Sequence, residues 1–90
     1  MPIWDENKRQ ANLCHHGIDF EGCGQIFDLP VFVFEDSRQS YGEQQLCALS
    51  WLHGKVVHLT YTEREDDFCV ISLRGAEKHE VKRYIKKTSR

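Results

Sequence analysis

Apolar positions along the chain change period twice, and the changes divide helical from strand segments. Residues 6–16 are polar at most positions, with Ala11 and Cys14 three apart as the only inner face, continued by Ile18. Asp5 has the chemistry of a helix N-cap and Gly17 supplies a left-handed stop, so the spacing predicts a helix over 6–16. Ile18 and Asp19 then read as the staple and cap of a second helix, whose apolar face is Phe20, Cys23, Ile26 and Phe27. Gly22 and Gly24 weaken that helix by about 1 kcal/mol each, so packing has to hold it.

After the break at Leu29-Pro30 the period drops to two. Val31 to Phe34 is β-rich and apolar on both faces, and a polar loop follows over 35–42. Over 43–53, Leu46, Ala48, Ser50 and Leu52 alternate with Cys47, Leu49 and Trp51, which suits a strand buried on both sides; a helix is the alternative there. His53-Gly54-Lys55 is a tight turn, 56–62 is a β-branched and aromatic strand, 64–67 is an acidic turn, and 68–74 returns as another strand. Beyond Gly75 the period lengthens again. Val81, Tyr84, Ile85 and Thr88 form a narrow helical stripe, with Glu80 on the same face as Tyr84.

With a short strand at Ile3-Trp4, the order is β-α-α-β-β-β-β-α, an α+β chain. Short turns between consecutive strands imply an antiparallel β-meander, with two N-terminal helices and one C-terminal helix covering one face. Ninety residues make one domain, 1–90, with one modest core. No apolar run approaches the roughly 20 residues of a membrane span, and the acidic Asp5 and Glu6 do not suit a secretory signal, so a cytoplasmic protein without membrane contact is expected.

Charge alters this picture more than composition does. The net charge is −2, yet residues 1–73 hold five Lys and Arg against twelve carboxylates, while from Arg74 onward seven basic residues face only Glu77 and Glu80. A basic last helix can attract nucleic acid or an acidic partner, and a solvated helix face is its commoner meaning. The cysteines Cys14, Cys23, Cys47 and Cys69 contain no Cys-x-x-Cys pair and read as small hydrophobes. Cys14, His15, His16 and Cys23 lie near one another without the paired spacing of structural zinc sites, and no metal or other cofactor is expected. Trp51, Phe32 and Phe34 are candidates for apolar surface that a partner buries.

Several short pieces recur together: Trp4 to Lys8, Ala11-Asn12-Leu13, His16-Gly17-Ile18, Phe20-Glu21, Ile26-Phe27, Tyr61 to Arg64, Ile71-Ser72 with Arg74 and Ala76, and Glu80 with Tyr84. In this order they resemble the BrnT family of type II toxins. The resemblance implies a RelE/ParE-like fold, a ribonuclease that inhibits translation without a metal, and neutralisation by a ribbon-helix-helix antitoxin. It further implies a homodimer within a heterotetramer, and operator DNA bound only through the antitoxin.

RNA cleavage through the 2′-hydroxyl needs a base, an acid and a cation at the phosphorane. Mapped onto the matching positions, Arg64 and Arg74 are the expected phosphate grips and His16 an acid or base. Glu63 and Tyr84 are further catalytic candidates, and Lys8, His15 and Glu80 are candidates for RNA contact. Cys14, His15 and Cys69 stand where the family commonly has basic residues. A second expectation is therefore a catalytically weak member that binds the antitoxin and takes part in operator autoregulation.

Overall fold

The computed structural model describes residues 2–35, 44–65 and 67–89. A five-stranded mixed sheet, ordered β1-β5-β4-β3-β2, is built from β1 (Ile3–Trp4), β2 (Phe32–Glu35), β3 (Gln45–Leu52), β4 (Lys55–Arg64) and β5 (Asp67–Gly75). The helices are α1 (Glu6–His16) and α2 (Lys78–Thr88), with a 3₁₀ helix at Cys23–Asp28.

The strand over 45–52 settles the strand-or-helix alternative in favour of the strand. β2 to β5 form the antiparallel meander expected from their turns. His53 and Gly54 both take positive φ, 52° and 81°, as a type I′ two-residue hairpin requires. Of the polar loop expected over 35–42, Glu35 ends β2, while 36–42, together with Glu43 and with Asp66 of the acidic turn, lie outside the described residues.

Four expectations are corrected. The sheet is not wholly antiparallel, because β1 pairs parallel with β5 through Ile3–Cys69 and Trp4–Val70. Only strands joined by a hairpin are obliged to run antiparallel, and β1 reaches β5 through most of the chain. The second N-terminal helix is a 3₁₀ helix that starts at Cys23, because Gly22 adopts φ 83° and interrupts any helix begun at Asp19. Phe20, Cys23 and Ile26 are each 0% exposed at a spacing of three, the period of a 3₁₀ helix.

The helices do not share one face of the sheet. Ile18, Phe20, Cys23 and Ile26 pack with Ala48, Val57, Leu59, Val70 and Leu73 on one side. Tyr84 and Val81 of α2 pack with Leu49, Val56, Phe32 and Phe34 on the other. β3 and β4 are apolar on both sides, so both needed cover.

Finally, Ala11 and Cys14 are exposed, and the buried residue of α1 is Asn12. Its amide donates to the carbonyls of Ile18 (2.9 Å) and Leu73 (2.7 Å), and its Oδ1 accepts from the Leu73 N–H at 3.0 Å. Asn12 thus completes the edge of β5 beyond the two residues that β1 covers. The ends of α1 are as expected: Asp5 accepts from Asn7 N at 2.7 Å, and Gly17 closes the helix at φ 70°. Arg9 holds the following turn, meeting Asp19 through Nε (2.7 Å) and Nη2 (2.9 Å).

Among the cysteines, Cys23 and Cys47 are buried, Cys69 is half-buried and Cys14 is exposed. No helix among the described residues is long and apolar enough to cross a membrane.

Candidate active site

One irregularity in the sheet brings three ionisable side chains together. Counting back from the Arg64–Asp67 pair, regular pairing would set His58 opposite Leu73. The register instead shifts between Thr60 and Tyr61: Tyr61 pairs with Val70, but Thr60 pairs with Ser72, leaving Ile71 as the extra residue of a β-bulge. The slip moves every later residue of β5 to the other face. Leu73 enters the core, and Arg74 comes opposite His58 on the face that α2 covers.

There Arg74 meets Glu80, from the first turn of α2, as a two-pronged pair: Nη1–Oε1 2.8 Å and Nη2–Oε2 2.9 Å. Glu80 Oε1 also accepts from the Glu77 N–H at 2.8 Å, a reach back to the N-cap that fixes the carboxylate at the helix start. His58 is 6% exposed and presents Nε2 3.8 Å from Glu80 Oε2, beyond hydrogen-bond reach. The three residues come from β4, β5 and α2 and line an open groove of about 500 Å³ with Phe34, Glu35, Cys47, His79 and Arg83.

The Arg74 guanidinium, then the Glu77 N–H, hold the Glu80 carboxyl down to about pKa 2. The same pair raises the Arg74 pKa, so Arg74 is a permanent cation. Glu80 is therefore charged in the fold at pH values where the unfolded chain binds a proton. Its contribution to stability is complete above about pH 4.5 and is lost as pH falls toward 2. Allowing for solvent screening, that contribution is about 1–2 kcal/mol. Glu80→Gln should accordingly flatten the acid limb of the stability curve. Urea melts between about pH 6 and pH 3 measure this, and parallel slopes for the two proteins would contradict it.

The other candidates are dispersed. Arg64 is on the same face as Arg74 but six residues along β4 from His58, about 20 Å of strand. Glu63 points to the opposite face, in a hollow with Tyr61, Phe27 and Phe68. Lys8, His15 and His16 share a separate shallow hollow on α1 beside Ile71. Tyr84 is 3% exposed, and its hydroxyl donates to the Pro30 carbonyl at 2.7 Å, which anchors α2 to the start of β2. The structure thus brings Arg74 and Glu80 together and leaves Arg64, Glu63, Tyr84, His16, His15 and Lys8 outside their groove.

Sequence reasoning missed His58, which stands in a Val-Val-His-Leu run that reads as core. The signal that finds it is the pairing register, and only once the bulge is included. Among the described residues, no group of three or more His, Cys, Asp or Glu side chains is arranged to hold a metal ion.

Residues 4–80 match the sequence profile of a family described as the ribonuclease toxin, BrnT, of type II toxin–antitoxin systems. The chain belongs to this family. Its match runs from β1 into the first turn of α2, and so includes the bulge, His58, Arg74 and Glu80. BrnT membership makes the chain a member of a class of ribonuclease toxins with an antitoxin partner. No curated protein shows significant similarity to it.

Proposed function

We propose that this BrnT chain cleaves RNA in the groove between α2 and the sheet, with Arg74 as the phosphate-gripping cation and His58 as the proton-transfer group. The convergence of Arg74, Glu80 and His58 from three elements carries this reading. In the proposed reaction the 2′-oxygen attacks the neighbouring phosphorus and loses its proton. The bond from phosphorus to the 5′-oxygen breaks, and that oxygen takes up a proton. The products are a 2′,3′-cyclic phosphate and a 5′-hydroxyl. An imidazole, which titrates near neutrality, can serve either transfer. A guanidinium stabilises the charge that develops on the non-bridging oxygens. Glu80 orients Arg74 and does not itself meet phosphate.

The reading includes a cytoplasmic toxin that inhibits translation and works without a metal. It also includes a ribbon-helix-helix antitoxin through which operator DNA is bound, and a homodimer within a heterotetramer. The resemblance of the motifs supports these features. One observation favours a second reading, antitoxin binding without catalysis: both Nη atoms of Arg74 are already held by Glu80.

Expression in a bacterium lacking the antitoxin separates the two. The proposal expects growth arrest with fragmented mRNA, and cleavage by the purified chain that persists in EDTA and leaves cyclic phosphate ends. Normal growth with intact mRNA supports the binding-only reading, and loss of cleavage in EDTA contradicts the metal-free one.

A further inference from the structure

Among the described residues, Arg83 is held differently from Arg9 and Arg74. Arg9 and Arg74 are each bound to carboxylates, whereas the described partners of Arg83 are aromatic rings. Its guanidinium carbon lies 4.8 Å from the centroid of Phe32 and 4.5 Å from that of Phe34. The two rings are stacked on each other at 5.3 Å and 29°. Lys87, one turn further along α2, places Nζ 5.8 Å from the Phe32 ring. Arg83 is exposed and lines the same groove as His58 and Arg74.

Physical consequences follow from that packing. Rings on one side fix a side chain that otherwise has many rotamers, so little freedom remains to be lost on binding. Among the described residues no carboxylate is paired with this charge, and the guanidinium is exposed on the groove. A guanidinium plane offered in this way is a stacking surface for a nucleobase, and the neighbouring ammonium of Lys87 suits a phosphate. A base inside a duplex has both faces covered by its neighbours, so only an unpaired nucleotide can use such a surface. Arg83 and Lys87 lie beyond residue 80, where the family match ends.

We infer that the Phe32–Phe34–Arg83 stack is a subsite for one unpaired nucleotide of the RNA held in the groove, and that it makes the toxin selective for single-stranded RNA. The inference rests on the reading of this groove as the RNA site. A binding measurement that needs no cleavage separates the two. The probe is a short single-stranded oligoribonucleotide carrying 2′-O-methyl groups, which removes the attacking hydroxyl, and the same sequence as a duplex. Each is titrated by fluorescence anisotropy with the intact chain and with Arg83→Ala and Arg83→Lys.

The single strand should bind roughly tenfold or more tightly than the duplex, and both variants should weaken it by about five- to tenfold. Arg83→Lys keeps the charge and should keep the wild-type salt dependence. Near-UV circular dichroism matching the wild type establishes that the variants are folded. Wild-type affinity in Arg83→Lys reduces the stack to simple charge and overturns the subsite, as does equal binding of duplex. Loss confined to the antitoxin complex makes this a protein-binding surface and also overturns it. Arg83-dependent binding by a chain that never cuts unmethylated RNA contradicts the nuclease reading and leaves the subsite standing. Failure of the wild type to bind either RNA overturns both.

Discussion

Replacing Arg74 by alanine is expected to lower the RNA cleavage rate by about 10²- to 10³-fold, the usual loss when one preorganised donor to a developing oxyanion is removed. The size of the effect follows from geometry. The bulge at Ile71 turns Arg74 onto the α2 face, and Glu80 holds both of its Nη atoms, so the charge is fixed before substrate arrives. The substitution leaves Glu80 without its guanidinium, which costs about 1–2 kcal/mol and leaves the protein folded. Arg74→Lys keeps a charge without the planar fork and should recover only part of the activity. The comparison is made under single-turnover conditions, well below the melting temperature of each variant. Activity within threefold of wild type in Arg74→Ala would remove Arg74 from the chemistry.

The largest stability effect is expected far from the groove, at Asn12. Asn12→Leu removes three buried hydrogen bonds at once and leaves the N–H and C=O of Leu73 and the Ile18 carbonyl unpaired. Each unsatisfied buried group costs about 1–3 kcal/mol, and partial access to water at the strand edge brings the sum to about 3 kcal/mol. That is a large share of the roughly 5–15 kcal/mol by which a small domain is stable. Chemical denaturation should show it directly, with the melting temperature falling by more than about 10 °C. A change under about 0.5 kcal/mol would mean that α1 is held by something other than this amide.

These two residues also show how far the sequence could be read. The bounds of α1 were legible because Asp5 and Gly17 are strong local signals whose chemistry does not depend on the rest of the chain. The strands were legible from alternation, and the hairpin at His53-Gly54 from its turn residues. What holds α1 was not, since its buried contact is an amide pairing with backbone 61 residues away, and hydrophobic periodicity carries no trace of such a bond.

The 3₁₀ helix was misread for a related reason. A spacing of three between Phe20, Cys23 and Ile26 fits either helix type, and Gly22 decides between them. At the site, Arg74 and Glu80 were legible as charges near one another in sequence. His58 was not, because a one-residue bulge decides which face of β5 looks at it, and regular alternation past Ile71 would have sent Arg74 the other way. Arg64 and His16 are grouped with Arg74 by the family resemblance, which carries no distances; one is displaced along the sheet and the other lies on α1.

The proposal of cleavage in the α2 groove sets His58 against the histidines of α1 as the proton-transfer group. The most direct measurement compares His58→Gln with His16→Gln in single-turnover cleavage of one single-stranded RNA, both variants first shown to be folded. A loss of about 10²-fold or more is expected in His58→Gln, from removal of a proton-transfer group, and a rate near wild type in His16→Gln. Unchanged cleavage in His58→Gln with loss in His16→Gln would contradict it.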